Sequence, residues 1–277
     1  MILCTSGLSE CCVEIGILVA ILFTKAIVRA PSANFATGLT SVDLGTPDYH
    51  VATRQHAAYC EALQSGGLTL IHLPPDERHP DATFVEDVAI VTNRGAVITR
   101  PGAASRLGET TSIERELREY YSDLRRITEP GTLDGGDVCE AGDHFFIGIS
   151  SRTNEAGASQ LSDFLNTFGF SANLIDIRGL SNILHLKSGM AWLGDKRLVV
   201  IEALSRRKEF STYEVVHVNS VEEYAANCVF LNDRVLVPAG FPGLKQQLDD
   251  LDYPTIALEM SEFQKMDGGL SCLSLRF

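Results

Sequence analysis

Four times along the chain a short apolar run meets a polar turn and is followed by a second apolar run. The units are VAIVTNRGAVIT (88–99), VCEAGDHFFIG (138–148), GMAWLGDKRLVVI (189–201) and NCVFLNDRVLVPAG (227–240). Their turns carry Asn-Arg-Gly, Ala-Gly-Asp, Gly-Asp-Lys and Asn-Asp-Arg. Such residues tolerate the tight backbone of a hairpin, so each unit predicts two antiparallel strands. The units start roughly 40 to 50 residues apart, which marks an internal repeat. Helical patterns lie between them. SIERELREYYSDL (112–124) predicts a helix with Ser112 as its N-cap, and NEAGASQLSDFLNTFG (154–169) one that ends at a C′ glycine. TRQHAAYCEALQSGG (53–67) predicts a third.

The tail CLSLRF alternates, placing Leu273, Leu275 and Phe277 on one strand face and Cys272, Ser274 and Arg276 on the other. Chain ends usually fray, so this pattern predicts a terminus tied into a sheet. Paired with AIVRAP (26–31), it supplies a fifth unit split between the two ends of the chain. The expected fold is a single α/β domain over 24–277. It is a five-bladed α/β propeller with pseudo-five-fold symmetry, closed by its C- and N-terminal strands around an axial channel. An ordinary mixed α/β sheet is the alternative. Residues 1–23 form an N-terminal extension, disordered or the trace of a misassigned start. IGILVAILF (15–23) is apolar, but Glu10 and Glu14 precede it without any Lys or Arg, unlike a secretory signal. It is also too short to span a bilayer.

With 45% hydrophobic and 21% charged residues the composition is that of a globular protein, and the net charge is −13. The densest basic cluster, SRRKEF (205–210), reads as a solvated loop, so no nucleic-acid surface is expected. An acidic balance is compatible with a small cationic substrate. Seven cysteines, at 4, 11, 12, 60, 139, 228 and 272, include no CxxC pair. That is neither a disulfide framework nor a zinc pattern, and it points to a reducing, cytoplasmic compartment.

The starts of the hairpins carry Glu86 and Asp87, Asp134 with Asp137, His185, Asn227 and Cys272. In a five-fold ring these positions face one centre. A thiol needs a lowered pKa or a nearby base to attack at neutral pH, and a histidine can protonate a leaving amine. Clustered carboxylates repel unless a cation neutralises them, and a planar guanidinium matches them bidentately. Each residue also has a plainer reading. Cys272 can be packing, His185 a satisfied structural histidine, LDGGDV a tight turn, and FVEDVAIV a strand with solvated acids. A metal held by these acids and His185 lacks a second histidine at ligand spacing, and no metal or cofactor is expected.

Seven segments in order, LPPDERHPDATFVEDVAIV, ITRPGAASRLGET, GTLDGGDV, ISSRTNEAGA, LHLKSG, YAANCVFLN and KMDGGLSCLSLRF, resemble the dimethylarginine dimethylaminohydrolase family. That family belongs to the pentein superfamily of guanidino-modifying α/β propellers. The resemblance runs from about Thr24 to Phe277. It implies Cys272 as nucleophile, His185 as general acid/base and Asp134 as the acid beside the histidine. It implies substrate contacts from Asp81, Glu86 and Asp87, with Asp87 gripping the guanidinium. Arg106 and Arg152 would take the α-carboxylate. Leu39, in the loop TGLTS that would act as a lid, and Met266 would offer backbone contacts, and Phe84 would wall the pocket. The implied reaction turns Nω-methylated arginine into citrulline through a Cys272 thiouronium. The implied partner is that small molecule, with neither nucleic acid nor membrane, and a homodimer is left open. An arginine deiminase, an amidinotransferase and a non-enzymatic methylarginine-binding protein are the rival readings. On a flat strand Glu86 and Asp87 would face opposite sides, so both reach one ligand only if the backbone turns there.

Overall fold

The computed structural model of the protein describes residues 23–180 and 182–277. The expected extension 1–23, Phe23 apart, lies outside them, as do Cys4, Cys11 and Cys12. The strands are β1 (Lys25–Arg29), β2 (Thr69–Leu73), β3 (Ala89–Val91), β4 (Ala96–Ile98), β5 (Leu124–Arg126), β6 (Val138–Ala141), β7 (His144–Ile149) and β8 (Ser171–Asp176). They continue as β9 (Met190–Trp192), β10 (Arg197–Ile201), β11 (Glu214–Val218), β12 (Val229–Leu231), β13 (Arg234–Pro238), β14 (Thr255–Leu258) and β15 (Ser274–Arg276). The helices are α1 (Tyr49–Ser65), α2 (Thr110–Leu117), α3 (Glu155–Thr167), α4 (Pro242–Asp250) and α5 (Ser261–Gln264).

Five three-stranded sheets form, ordered β15-β1-β2, β3-β4-β5, β6-β7-β8, β9-β10-β11 and β12-β13-β14. In each, the first strand is antiparallel to the middle one and the third is parallel to it. All four expected hairpins are present, and the split fifth closes the ring. Ile27 pairs with Leu275, Thr24 and Lys25 donate their N–H groups to the Phe277 carbonyl, and Phe277 donates back to Lys25. Leu275 is buried in a cluster with Ile27, Val88 and Ile98, so the last strand seals the seam between the first two blades. First strands of neighbouring sheets pack on one another, β15 on β3, β6 on β9 and β9 on β12.

The helices differ from expectation mainly at their ends. α1 starts four residues early because Asp48 caps it, its Oδ1 accepting the Val51 N–H at 2.9 Å. α2 starts at Thr110, continuing directly from the 3-10 turn Ala104–Glu109, so Ser112 has no free end to cap. Its hydroxyl accepts instead from Arg29 Nη2 at 2.6 Å. α2 stops at Leu117 because the chain must swing into β5, and Tyr120 and Tyr121 pack on Phe277 along the way. α3 is capped by Asn154 and followed by Gly169 at φ +85°, as its pattern predicts. The fourth blade crosses without an α-helix, through two 3-10 turns that include the SRRKEF segment. Cys272 and Leu273 belong to a 3-10 turn before β15 rather than to the strand itself. Among the described residues no helix is long and apolar enough to cross a membrane.

Leu275→Ala should therefore destabilise the whole molecule by about 2–5 kcal/mol, read as a lower urea midpoint with an unchanged slope. A loss below about 0.5 kcal/mol would show that the chain end stands outside the cooperative core.

Candidate active site

Each first strand is entered through a 3-10 turn: Val85–Val88, Gly135–Asp137, Leu186–Ser188, Ser220–Ala226 and Ser271–Leu273. Turn 271–273 packs on 85–88, which packs on 135–137, then 186–188, then 220–226, so the turns ring the axis. A 3-10 turn has three residues per turn, so successive side chains leave it in different directions. Asp87, His185 and Cys272 accordingly line one cavity, while Glu86, Lys187 and Ser271 line a second of about 110 Å³ on the other side. The wall between them is one turn thick. It also explains the glycine pair in LDGGDV. A Cβ on Gly135 would stand 2.0 Å from the Glu86 carbonyl oxygen, and one on Gly136 would stand 2.8 Å from the His185 ring.

Cys272 is buried, and the Gly269 N–H donates to its sulfur at 3.4 Å. Burial first, then the Glu86 and Asp87 carboxylates, push the thiol up to about 12. His185 Nε2 lies 3.1 Å from Asp134 Oδ2. Burial alone would lower the imidazole pKa, but Asp87, Asp137 and Asp134 outweigh it and raise it to about 9. Asp134 is fixed on its other oxygen by the Gly102 N–H at 2.8 Å. Asp87 accepts the Gly136 N–H at 2.9 Å on Oδ1 and Arg106 Nη1 at 2.5 Å on Oδ2. Burial works to raise its pKa, yet Arg106 and His185 hold it down to about 2.

The remaining expected residues fall into two groups. Leu39, Asp81, Phe84, Arg106, Arg152 and Met266 all line the same cavity as Cys272. Glu86 is placed differently from Asp87: its side chain turns to the far cavity, pairing with Lys187 Nζ at 2.6 Å and accepting from Ser271 Oγ at 2.9 Å. The turn that lets Asp87 face the thiol is what sends its neighbour away. Arg106 is also more occupied than a pure ligand clamp. It donates to Asp87, Glu109 and the Phe84 and Asp81 carbonyls, leaving one Nη1 proton unassigned. The Arg152 guanidinium, in contrast, has no hydrogen-bond or ion-pair partner among the described residues.

Asp137 and Asn227 reach the axis but not the cavity. Asp137 accepts from Ser150, Thr153 and the Leu186 N–H, bracing His185 from behind. Asn227 accepts the Ser271 N–H at 2.9 Å and donates to the Lys187 carbonyl at 3.0 Å, fixing the turn that carries the thiol. Glu109 and Lys187 were missed in the sequence. GET and HLKSG gave no sign that these charges were buried.

Oxygens of Asp87 and Asp134 and a ring nitrogen of His185 lie within 4.8 Å of one another, close enough to share a cation. The cation already seated on Asp87 is a guanidinium, that of Arg106. The cluster thus has the chemistry of a cradle for planar nitrogen cations, with a buried thiol and an imidazole of raised pKa beside it.

No family model matches the chain. The N(G),N(G)-dimethylarginine dimethylaminohydrolase of Pseudomonas aeruginosa is 44% identical over 257 residues, 92% of this chain and all of the relative. The enzyme of that name from Streptomyces coelicolor is 36% identical, over 91% and 96%. The solved Pseudomonas aeruginosa structure, a cysteine-to-serine variant complexed with citrulline, superposes with a TM-score of 0.90 at 43% identity, over 92% and 100% of the two chains. A second, a histidine-to-glycine variant of a dimethylarginine dimethylaminohydrolase bearing an S-methyl-L-thiocitrulline adduct, gives 0.89. The N-terminal domain of a cyanobacterial arginine dihydrolase, at 16% identity and a TM-score of 0.82, shares the fold. On the strength of the 44% match across nearly its whole length, the chain belongs to the dimethylarginine dimethylaminohydrolase family.

Proposed function

We propose that this protein hydrolyses Nω-methylated L-arginine to L-citrulline and methylamine or dimethylamine through a covalent bond to Cys272. One observation carries the reading: a single cavity is lined by the Cys272 thiol, the His185 imidazole of raised pKa, the carboxylates of Asp81, Asp87, Asp134 and Asp267, and two arginines, of which Arg152 has a guanidinium without a partner among the described residues. The citrulline complex and thiocitrulline adduct of the relatives support it.

Arg152, with the free Nη1 proton of Arg106, takes the α-carboxylate. Asp87 and Asp134 hold the guanidinium plane. The arriving cation offsets the field of Glu86 and Asp87, so the thiol, protonated at rest, gives its proton to solvent. Sulfur then adds to the guanidinium carbon, perpendicular to the plane. His185, an imidazolium at neutral pH, protonates the departing amine as the C–N bond breaks. The product is a thiouronium on Cys272 and a neutral imidazole. That imidazole takes a proton from water, the hydroxide adds to the same carbon, and the C–S bond breaks. Citrulline forms, the thiolate returns, and the last proton passes to the freed amine. The thiol must stay reduced for this chemistry, so the reaction belongs in a reducing compartment; the four described cysteines are free and buried.

Cys272→Ser should lower citrulline release by more than about a thousand-fold while thermal unfolding and its shift by dimethylarginine persist. Substantial turnover in that variant ends the nucleophile assignment. The pH profile has a definite sign. The thiolate is scarce below about 12 and the imidazolium persists below about 9. The logarithm of kcat/KM should thus climb by about one per pH unit up to about pH 9 and flatten above it. A maximum near pH 6 to 7 would contradict that protonation order. In parallel citrulline assays, dimethylarginine should show a higher kcat/KM than free arginine; the reverse order would make the protein a deiminase.

A further inference from the structure

The cavity on the far side of the Cys272 wall, about 110 Å³, is lined by the first strand of every sheet, so it is the other end of the axis. Each of those strands carries one partly buried residue among buried ones: Val91, Glu140, Trp192, Phe230 and Arg276. All five line the cavity. Being the least buried of their strands, they ring its mouth. Round that ring Glu140 stands beside Trp192 and Trp192 beside Phe230, because β6 packs on β9 and β9 on β12. The Trp192 and Phe230 rings meet at 80° with centroids 6.2 Å apart, and the indole N–H donates to the Asp195 carbonyl at 3.0 Å. Two fixed aromatic walls thus form a corner next to a carboxylate.

Four charged side chains line the cavity, and three of them are answered on one side. Glu86 pairs with Lys187 at 2.6 Å. Arg276 lies 4.0 Å from Glu86, donates to Ser274 Oγ at 2.8 Å and sits over the Phe23 ring at 5.9 Å. The Glu140 carboxylate has no hydrogen-bond or ion-pair partner among the described residues. Burial pushes it up to about 7, against the pull of Arg276 and Lys187 and with the help of Asp143. Such a carboxylate takes up either a proton or a cation.

We propose that this mouth is a second ligand site, one for a small alkylammonium ion, with Glu140 as counter-ion and Trp192 and Phe230 as the walls that face its methyl groups. One carboxylate and two ring faces suit a cation that is partly apolar. A hard metal ion would call for several oxygens. The volume is below the roughly 150 Å³ that accepts a benzene, so the ligand has only a handful of heavy atoms. The amine that the proposed reaction releases is of this class. That link rests on the methylarginine reading; the site itself does not.

Trp192 is the single tryptophan of the chain, so its fluorescence reports the mouth and not the Cys272 cavity. Dimethylammonium chloride at pH 8 should change its emission saturably, with half-saturation at about 1–10 mM, where sodium chloride of equal ionic strength does not. Glu140→Gln should weaken binding at least about tenfold, and Phe230→Leu about three- to tenfold. Affinity should also fall about tenfold from pH 8 to pH 6 as Glu140 takes up its proton. The neighbouring Cys139 thiol and Tyr121 phenol, both pushed up by burial, stay neutral over that range, and Glu140→Gln should abolish the pH dependence. Should Glu140→Gln fail to fold, Phe230→Leu and the pH series decide. An equal response to sodium chloride, or one that neither variant weakens, overturns the site. Dimethylarginine filling the Cys272 cavity of the Cys272→Ser variant should leave the titration unchanged; loss of the response would put the ion in that cavity and overturn the site as well. A saturable, Glu140-dependent response in a protein inert towards methylarginines keeps the site and removes only the link to the released amine.

Discussion

The pairing of the last strand with the first is the constraint on which the rest of the molecule depends. Cys272 lies in the turn that leads into β15, and β15 is held by β1 at the opposite end of the chain. A free terminus would let that thiol wander. Here the Phe277 carbonyl accepts two N–H groups and Leu275 is buried between blades, so the end of the chain is as fixed as its middle. Closure over so long a loop costs entropy that grows only logarithmically with length. The buried apolar surface of Leu273 and Leu275 offsets it. A contact between the two chain ends is of the most non-local kind, which slows folding.

Once the ring closes, four carboxylates crowd its axis, and each must be answered. Glu86 is answered by Lys187 and Ser271, Asp137 by two hydroxyls and a backbone N–H, Asp87 by Arg106 and Gly136, and Asp134 by His185 and Gly102. Removing one partner would leave a buried charge alone, which is far costlier than the net worth of the pair. These answers also divide the axis. The Glu86 pair belongs to the far cavity and the Asp87 pair to the thiol. The two acids nonetheless act together on Cys272, since burial first and then their combined field raise its pKa. Under the proposed function, a cation that relieves this field would favour the thiolate, so gripping the substrate and arming the sulfur would be one electrostatic event.

Much of the ring was legible because its strands alternate or run apolar between turn residues, as in VAIVTNRGAVIT and CLSLRF. The convergence of Asp87, His185 and Cys272 followed from their equivalent places in the repeat. The 3-10 turns that carry them were not legible. LDGGDV reads equally as a tight loop, and periodicity does not separate three residues per turn from two over so short a span. The direction of the Glu86 side chain, away from the Cys272 cavity, is therefore not visible in the sequence. Helix α4 was missed because PGLKQQLDD offers only Leu244 and Leu248 to a core, with Pro242 at its start. The Arg106–Glu109 pair was invisible for a different reason: buried charges look like surface charges until the fold brings their partners together.

The same economy of charge decides where motion can occur. A side chain on an axial turn could move aside for a ligand only by breaking a buried ion pair or hydrogen bond. Buried polar groups left unpaired carry a penalty of several kcal/mol by order of magnitude, which favours keeping these side chains where they are. An exposed segment trades its hydrogen bonds for water at little cost. In the wall of the Cys272 cavity the axial turns are therefore the costlier part to displace. The run that carries Leu39 is the part of that wall made of exposed residues. The axis is held by buried pairs, whereas the rim exchanges its hydrogen bonds freely with water.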